Sequence, residues 1–166
     1  MGQEHRRQHG LDAWHGRCNA EGMTSTHPAS PSAPDAISYF GIEVPFMQHI
    51  GLRPLRMDND SCHTLLAMRP DLVNSRGDIH GGTLMSAFDF TLSGAARAHD
   101  PQRLGVITVD MTTHFYEPAR TDLTVIGRCT RRGKSLAFCE GEIVDAAGTV
   151  VAVARAVFKL VARQPA

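Results

Sequence analysis

Asn74-Ser75-Arg76-Gly77-Asp78-Ile79-His80-Gly81-Gly82, with Asp89 seven residues beyond its end, is the stretch that decides how this chain reads. The segment from Pro70 to His80 is polar and carries Gly77, so it is expected as a loop. It delivers the chain to two adjacent glycines, and a helix is predicted from Gly82 to about His99. Over that span Leu84, Met85, Phe88, Leu92, Ala95 and Ala96 recur at helical spacing, and Asp100-Pro101 stops the run. Gly94, Ala95, Ala96 and Ala98 are small, which lets the second half of the helix lie close against a sheet.

Upstream of the loop, Tyr39, Phe40, Ile42, Val44, Phe46, Met47 and Ile50 suggest a short helix or turn packed on the core. Gly51 to Asp58 and Cys62 to Arg69 read as the two strands of a hairpin, turned by Asn59, Asp60 and Ser61. Downstream of the helix four runs have strand character: Leu104 to Tyr116, Asp122 to Arg131, Ser135 to Val144 and Thr149 to Val161. Glu117-Pro118, Arg132-Gly133 and Ala146 to Gly148 mark the turns between them. In the first run, alternation puts Ile107, Val109, Met111, Thr113 and Phe115 on one face and Thr108, Asp110, Thr112 and His114 on the other. Strands joined by short turns run antiparallel. The plan is therefore α+β, with a hairpin, one central helix and a four-stranded meander wrapped around that helix.

Two glycines at a helix start leave the first backbone N–H groups without an acceptor and with partial positive charge. Such a position can hold a carbonyl oxygen that turns negative during attack, which is the state catalysis must stabilise. The plainer alternative is that Gly81 and Gly82 only permit a tight turn into the helix. Asp89 lies at the edge of the apolar stripe, at helical spacing from Met85 and Leu92. A carboxylate there either leans out to water or acts as base or nucleophile on a carbonyl carbon. With the helix starting at Gly82, Asp89 sits roughly 10 Å further along the axis. The two groups of one chain cannot meet on one reacting atom. Either they serve different sites, or the site combines His80, Gly81 and Gly82 of one subunit with Asp89 of another, twice over in a two-fold dimer. His80 has the alternative of a simple capping role, and His63 and His114, in strand runs, read as structural. Arg131, Arg132 and Lys134 crowd one turn, either as a phosphate-binding cluster or as an ordinary solvated turn. Phe46, Met47, Met85, Phe88 and Phe90 are either acyl-pocket lining or core.

As a set, Asn74, His80-Gly81-Gly82, Asp89 and Thr108-Val109-Asp110-Met111 resemble the hotdog-fold thioesterases of the phenylacetate-degradation, or PaaI-like, group. Gly133-Lys134-Ser135-Leu136-Ala137-Phe138 and the closing Asp145-Ala146-Ala147-Gly148 belong to the same likeness, which runs from about Phe46 to Leu160. The intervals Asn-x5-His-Gly-Gly and His-x8-Asp, occurring together, are what make it specific. The resemblance implies an antiparallel sheet wrapped around one long central helix, in homodimers often paired into homotetramers. It also implies hydrolysis of an acyl-CoA, with Asp89 as nucleophile or general base and the Gly81 or Gly82 N–H polarising the thioester carbonyl. Asn74 and His80 would orient the thioester and a water from the facing subunit. Thr108 takes the position where a hydroxyl helps place the attacking water, with Asp110 on the same strand face as the second candidate. Arg131, Arg132, Gly133 and Lys134 would lie near the CoA phosphates. No cofactor is implied, because CoA is part of the substrate.

The 17 basic and 17 acidic residues balance, so no net field draws the chain to nucleic acid or to an anionic membrane. The four cysteines, Cys18, Cys62, Cys129 and Cys139, form no CxxC pair, and no apolar run is long enough to span a bilayer. With no basic start followed by an apolar stretch, the cytoplasm is the expected compartment. Residues 1–35 are poor in core-forming side chains and are expected to be a disordered tail, with Met23 as an alternative start, ahead of a hotdog domain at 36–166. His5 and His9 sit four apart but lack a third ligand, so no metal is expected there. Two other functions fit the same plan: a non-catalytic acyl-CoA-binding module, which needs no Asp89, and a hydratase, whose paired Asp and His helix pattern this chain lacks.

Overall fold

A computed structural model describes residues 37–163 of the chain. The tail expected at 1–35, the alternative start at Met23 and the His5/His9 pair lie outside the described residues. Within them the order is α1 (Pro45–His49), β1 (Leu52–Asp58), β2 (Ser61–Leu66), a single 3-10 turn (Pro70–Leu72), α2 (Gly81–Arg97), β3 (Leu104–Phe115), β4 (Leu123–Arg132), β5 (Leu136–Val144) and β6 (Val150–Ala162). The strands form one six-stranded antiparallel sheet in the order β1-β2-β4-β5-β6-β3. The sheet wraps α2, as the α+β plan expects.

The helix can sit deep because the sheet has no side chains where it crosses. Gly127 and Gly141 face each other on β4 and β5, and a Cβ on either would meet Leu92 Cδ2, at 3.1 and 2.8 Å. Around that contact Phe88, Leu92, Leu52, Leu66, Leu123, Val125, Ile143 and Phe158 are fully buried, each contributing on the order of 1.5–3 kcal/mol by leaving water. Two buried hydroxyls are matched to each other: Thr64 on β2 and Thr91 on α2 share a 2.7 Å hydrogen bond, and the Thr91 hydroxyl also lies 2.7 Å from the Ala87 carbonyl. Met47, Phe88 and Phe90 are core, whereas Phe46 and Met85 are exposed.

The expected four-stranded meander is corrected. Only β4, β5 and β6 follow one another; β3 lies at the far edge beside β6, and β4 pairs with β2 instead. The physical reason is the link through residues 116–122. Its Ala119 is buried and its carbonyl accepts the Ile79 N–H at 2.8 Å, while Arg120 donates to the buried Asp78 at 2.7 Å. The link is thus tied down against the loop ahead of α2 and does not close as a tight turn.

The face assignment along β3 is corrected as well. A bulge at Val109 shifts the register between Thr108, opposite Phe158, and Asp110, opposite Val157. Thr108 shares the helix-facing side with Phe158, and the extra residue turns Asp110 to the other side. Met111, Thr113 and Phe115 then return to the helix face. Being outermost, β3 leaves Ile107 and Val109 56% and 60% exposed. No helix among the described residues is long and apolar enough to cross a membrane. Among the same residues no group of three or more His, Cys, Asp or Glu is placed to hold a metal ion.

Candidate active site

Helix α2 begins at Gly81, one residue earlier than expected, with His80 as its extended N-cap (φ −61°, ψ 136°). The His80 ring accepts the Gly82 N–H at Nδ1, 2.9 Å away, and its carbonyl accepts the Thr83 and Leu84 N–H groups at 2.9 and 3.2 Å. Of the orphan donors at the helix start, only the Gly81 N–H has no acceptor among the described residues. Gly82 is capped from within the chain, so Gly81 carries the open N–H of the two. A neutral imidazole that accepts at Nδ1 carries its proton at Nε2. In that form the Nε2–H of the exposed His80 ring is its remaining donor.

Asn74 shapes the loop that precedes this start. Its side-chain Oδ1 accepts the Arg76 and Asp78 N–H groups at 2.8 and 3.3 Å, a local turn closed by the side chain. Its Nδ2 has no partner among the described residues. Asn74, Gly81, Leu84, Phe115, Tyr116 and Arg120 line a cleft of about 570 Å³, within the size range of small-molecule sites. Phe115 stands so close that a Cβ at Gly81 would touch its ring at 3.4 Å. Phe115, Tyr116 and Arg120 escaped the sequence reading, because they come from β3 and its link and reach the cleft only through the crossover.

Asp89 is half-buried on the face of α2 toward β3, and the Thr108 hydroxyl donates to its Oδ1 at 2.7 Å. The bulge is what makes this contact, since it keeps Thr108 on the helix side and turns Asp110 away. Asp89 Oδ2 has no partner among the described residues, which leaves one oriented carboxylate oxygen open. Asp89 follows Gly81 by eight positions, about 12 Å of helix. The open carboxylate oxygen and the open N–H of one chain are therefore too far apart to meet on one atom.

The basic turn divides. Arg132 donates from Nε to the Ala96 carbonyl at 3.1 Å and from Nη2 to the Ala95 carbonyl at 3.2 Å, and pairs through Nη1 with Asp60 at 2.7 Å. It caps the C-terminal end of α2 and is not available to a phosphate. Arg131 and Lys134 remain exposed beside Gly133, whose N–H closes the turn onto the Leu136 carbonyl at 2.7 Å. Arg132→Met is expected to lower the unfolding free energy in a denaturant titration by about 1.5–3 kcal/mol, the range for hydrogen bonds to a charged group. Burial pushes the Cys62 thiol up to about 12 and raises that of Cys139, which makes neither a ready nucleophile at neutral pH.

One long helix in the palm of a curved antiparallel sheet, with a carboxylate mid-helix and a bare N–H at its start, is the hotdog architecture. Residues 76–152 match the family model described as the thioesterase superfamily, a span that holds His80, Gly81, Asp89 and Thr108. Over those residues the chain is similar to the thioesterase superfamily. Among solved structures it is similar to AziG of S. sahachiroi, with 29% identity and a TM-score of 0.67 over 72% of this chain and 98% of that one. It is similar in fold to the PaaI protein of the E. coli phenylacetic acid degradation operon, with 21% identity and a TM-score of 0.67 over 71% and 85% of the two chains. A thioesterase of Haemophilus influenzae shares the fold at 15% identity, with a TM-score of 0.66 over 70% and 82%. A search of curated protein sequences finds no significant match.

Proposed function

We propose that this chain hydrolyses an acyl-CoA thioester to a free acid and CoA, in a PaaI-like site that two subunits build together. The observation that carries the reading is the pair of half-sites: Asp89, held by Thr108 with one oxygen open, stands about 12 Å along the helix from the open Gly81 N–H of the same chain. Each half lacks what the other has. An exposed strand edge with apolar side chains is a template for pairing with another chain, and β3 offers such an edge at Ile107 and Val109. Thr108 lies on that strand, so a second copy docked there would approach Asp89 directly. The reading extends to a homodimer, paired further into a homotetramer.

In this mechanism Asp89 Oδ2 takes a proton from a water that attacks the thioester carbonyl carbon, or attacks that carbon itself. Thr108 holds the other carboxylate oxygen and so fixes the aim of the first. The Gly81 N–H of the facing subunit donates to the carbonyl oxygen as it becomes negative. His80 Nε2–H and Asn74 Nδ2 are the further donors that orient the thioester on that side. Collapse of the tetrahedral intermediate breaks the carbon–sulfur bond and releases CoA, whose thiolate takes up the proton that Asp89 removed from water. Where Asp89 itself attacks, the acyl–Asp89 anhydride left behind is then hydrolysed by water to the free acid. In this reading the exposed turn of Arg131, Gly133 and Lys134 meets the CoA phosphates, with Arg132 holding the turn to the helix.

Subunit mixing tests the whole assembly. Asp89→Asn and Gly81→Pro are each expected to be nearly inactive alone. In a two-fold dimer a mixed pair holds one intact site and one doubly altered one. Equal amounts unfolded and refolded together should therefore recover about a quarter of wild-type thiol release. No recovery, from mixtures shown by mass to contain mixed dimers, would remove the composite site. Saturable acyl-CoA binding by the wild type without any thiol release would favour the binding module.

A further inference from the structure

The cleft beside Gly81 carries charge that the hydrolytic chemistry above does not use. Asp78 is buried, with 7% of its side chain exposed. The Arg120 Nε donates to its Oδ1 at 2.7 Å, and the Arg76 Nε lies 3.5 Å from its Oδ2. Both guanidinium groups thus lean on one carboxylate through Nε. Their Nη groups have no acceptor among the described residues, and the two side chains are 80% (Arg76) and 66% (Arg120) exposed. All three residues line the cleft that holds Asn74 and Gly81.

The fold accounts for only part of this arrangement. Asp78 needs one cation to offset its burial, and Arg120 at 2.7 Å supplies it. Arg76 is longer and far more exposed, and ion pairs of that kind add almost nothing to stability. What the second arginine adds is charge and geometry. A guanidinium held at Nε presents its two Nη groups as a fixed fork, which matches the two oxygens of a carboxylate or phosphate. The backbone supports the placement from both sides: Asn74 Oδ1 fixes the Arg76 and Asp78 N–H groups, and the Ile79 to Ala119 bond fixes the link that bears Arg120. Glu117 is the remaining charged group on the cleft, and it forms no ion pair with either arginine.

We propose that Arg76 and Arg120, splayed on Asp78, form an anion subsite of this cleft that binds a carboxylate or phosphate group carried by the substrate. The inference rests on the proposed acyl-CoA reading for the identity of its ligand, and it narrows that reading to substrates with an oxyanion within reach of the Gly81 N–H. Two sources share the chemistry: a carboxylate at the far end of the acyl group, and the phosphates of CoA.

The test measures binding by calorimetry in the Asp89→Asn background, so that it reads out whether or not the wild type turns substrate over. The ligands are hexanoyl-CoA, glutaryl-CoA and the N-acetylcysteamine thioesters of the same two acids, which lack every phosphate. Arg76→Gln is the principal variant, because it leaves Asp78 paired with Arg120; Arg120→Gln is the second, after its melting curve shows it folded. A Kd raised about tenfold, or about 1.4 kcal/mol, is expected for the ligands that use the subsite. Loss confined to the two CoA thioesters assigns the subsite to phosphate; loss confined to the two glutaryl thioesters assigns it to an acyl carboxylate. Kd values within twofold of the parent for all four ligands, in both variants, would overturn the proposal. Loss of thiol release in wild type, with these binding shifts intact, would sink the hydrolase reading and leave the subsite standing.

Discussion

Asp89→Asn is expected to lower kcat for acyl-CoA hydrolysis by about 10³-fold, within the range for a positioned acid–base group, and to leave KM, the melting temperature and the oligomeric mass close to wild type. The reasoning is isosteric. Asparagine fills the same volume, and its Oδ1 can still accept the Thr108 hydroxyl that now lies 2.7 Å from the carboxylate. The contact between α2 and β3 is therefore kept, and with it the bulge that places Thr108. What is lost is the open Oδ2: an amide nitrogen neither takes a proton from water nor attacks a carbonyl carbon. The measurement is thiol release, trapped by a chromogenic disulfide, from phenylacetyl-, benzoyl-, hexanoyl- and palmitoyl-CoA, with wild type and variant side by side. The panel also ranks acyl groups, on which the helix and its cleft are silent. If the variant keeps more than a tenth of wild-type kcat on the best substrate, Asp89 is not the group that drives the reaction, and the carboxylate belongs to the helix–strand contact alone.

The parts of this molecule that were legible in the sequence are those with local causes. The periodicity of Leu84, Phe88, Leu92, Ala95 and Ala96 fixes α2, and the turn at Asn59 to Ser61 fixes the first hairpin. The half-burial of Asp89 follows from its place at the edge of the apolar stripe. What stayed hidden depends on contacts distant along the chain. The crossover of β3 to the far edge is caused by Ala119 and Arg120 bonding to Ile79 and Asp78, some forty residues earlier, and no pattern within β3 announces it. The bulge at Val109 interrupts an alternation that looked regular from Ile107 to Phe115, and so puts Thr108 and Asp110, which that alternation placed on one face, on opposite sides. Arg132 looked like a member of a basic turn; its role as the cap of α2 appears only when the helix end lies beside β4. The cleft itself is assembled from the loop, the helix start and the crossover link. Its arginines were in plain view, Arg76 inside the deciding stretch, yet only the buried Asp78 makes them one group.

Gly81→Pro tests the proposed oxyanion donor more cleanly than any side-chain change. Gly81 is the first residue of α2, the helical position that proline tolerates because its N–H has no intrahelical partner. The residue before a proline must be extended, and His80 already is, at φ −61° and ψ 136°. The His80 cap survives, since its Nδ1 accepts from Gly82 and not from Gly81. The added Cβ meets the Phe115 ring at 3.4 Å, an ordinary contact. One backbone N–H is removed and the three ring carbons are added. The expected result is a fall in kcat of about 10²–10³-fold, the effect of deleting one oxyanion donor, with the melting curve unchanged. Gly81→Ala is the necessary companion, because it adds nearly the same atom against Phe115 and keeps the N–H; it should retain most of the activity. The contrast separates two meanings of the same glycine. A donor is required if proline abolishes turnover and alanine does not. Equal losses in the two variants would mean that the cleft needs the empty space beside Phe115, and that the developing negative charge is met elsewhere, with His80 Nε2 and Asn74 Nδ2 as the donors that remain on that side.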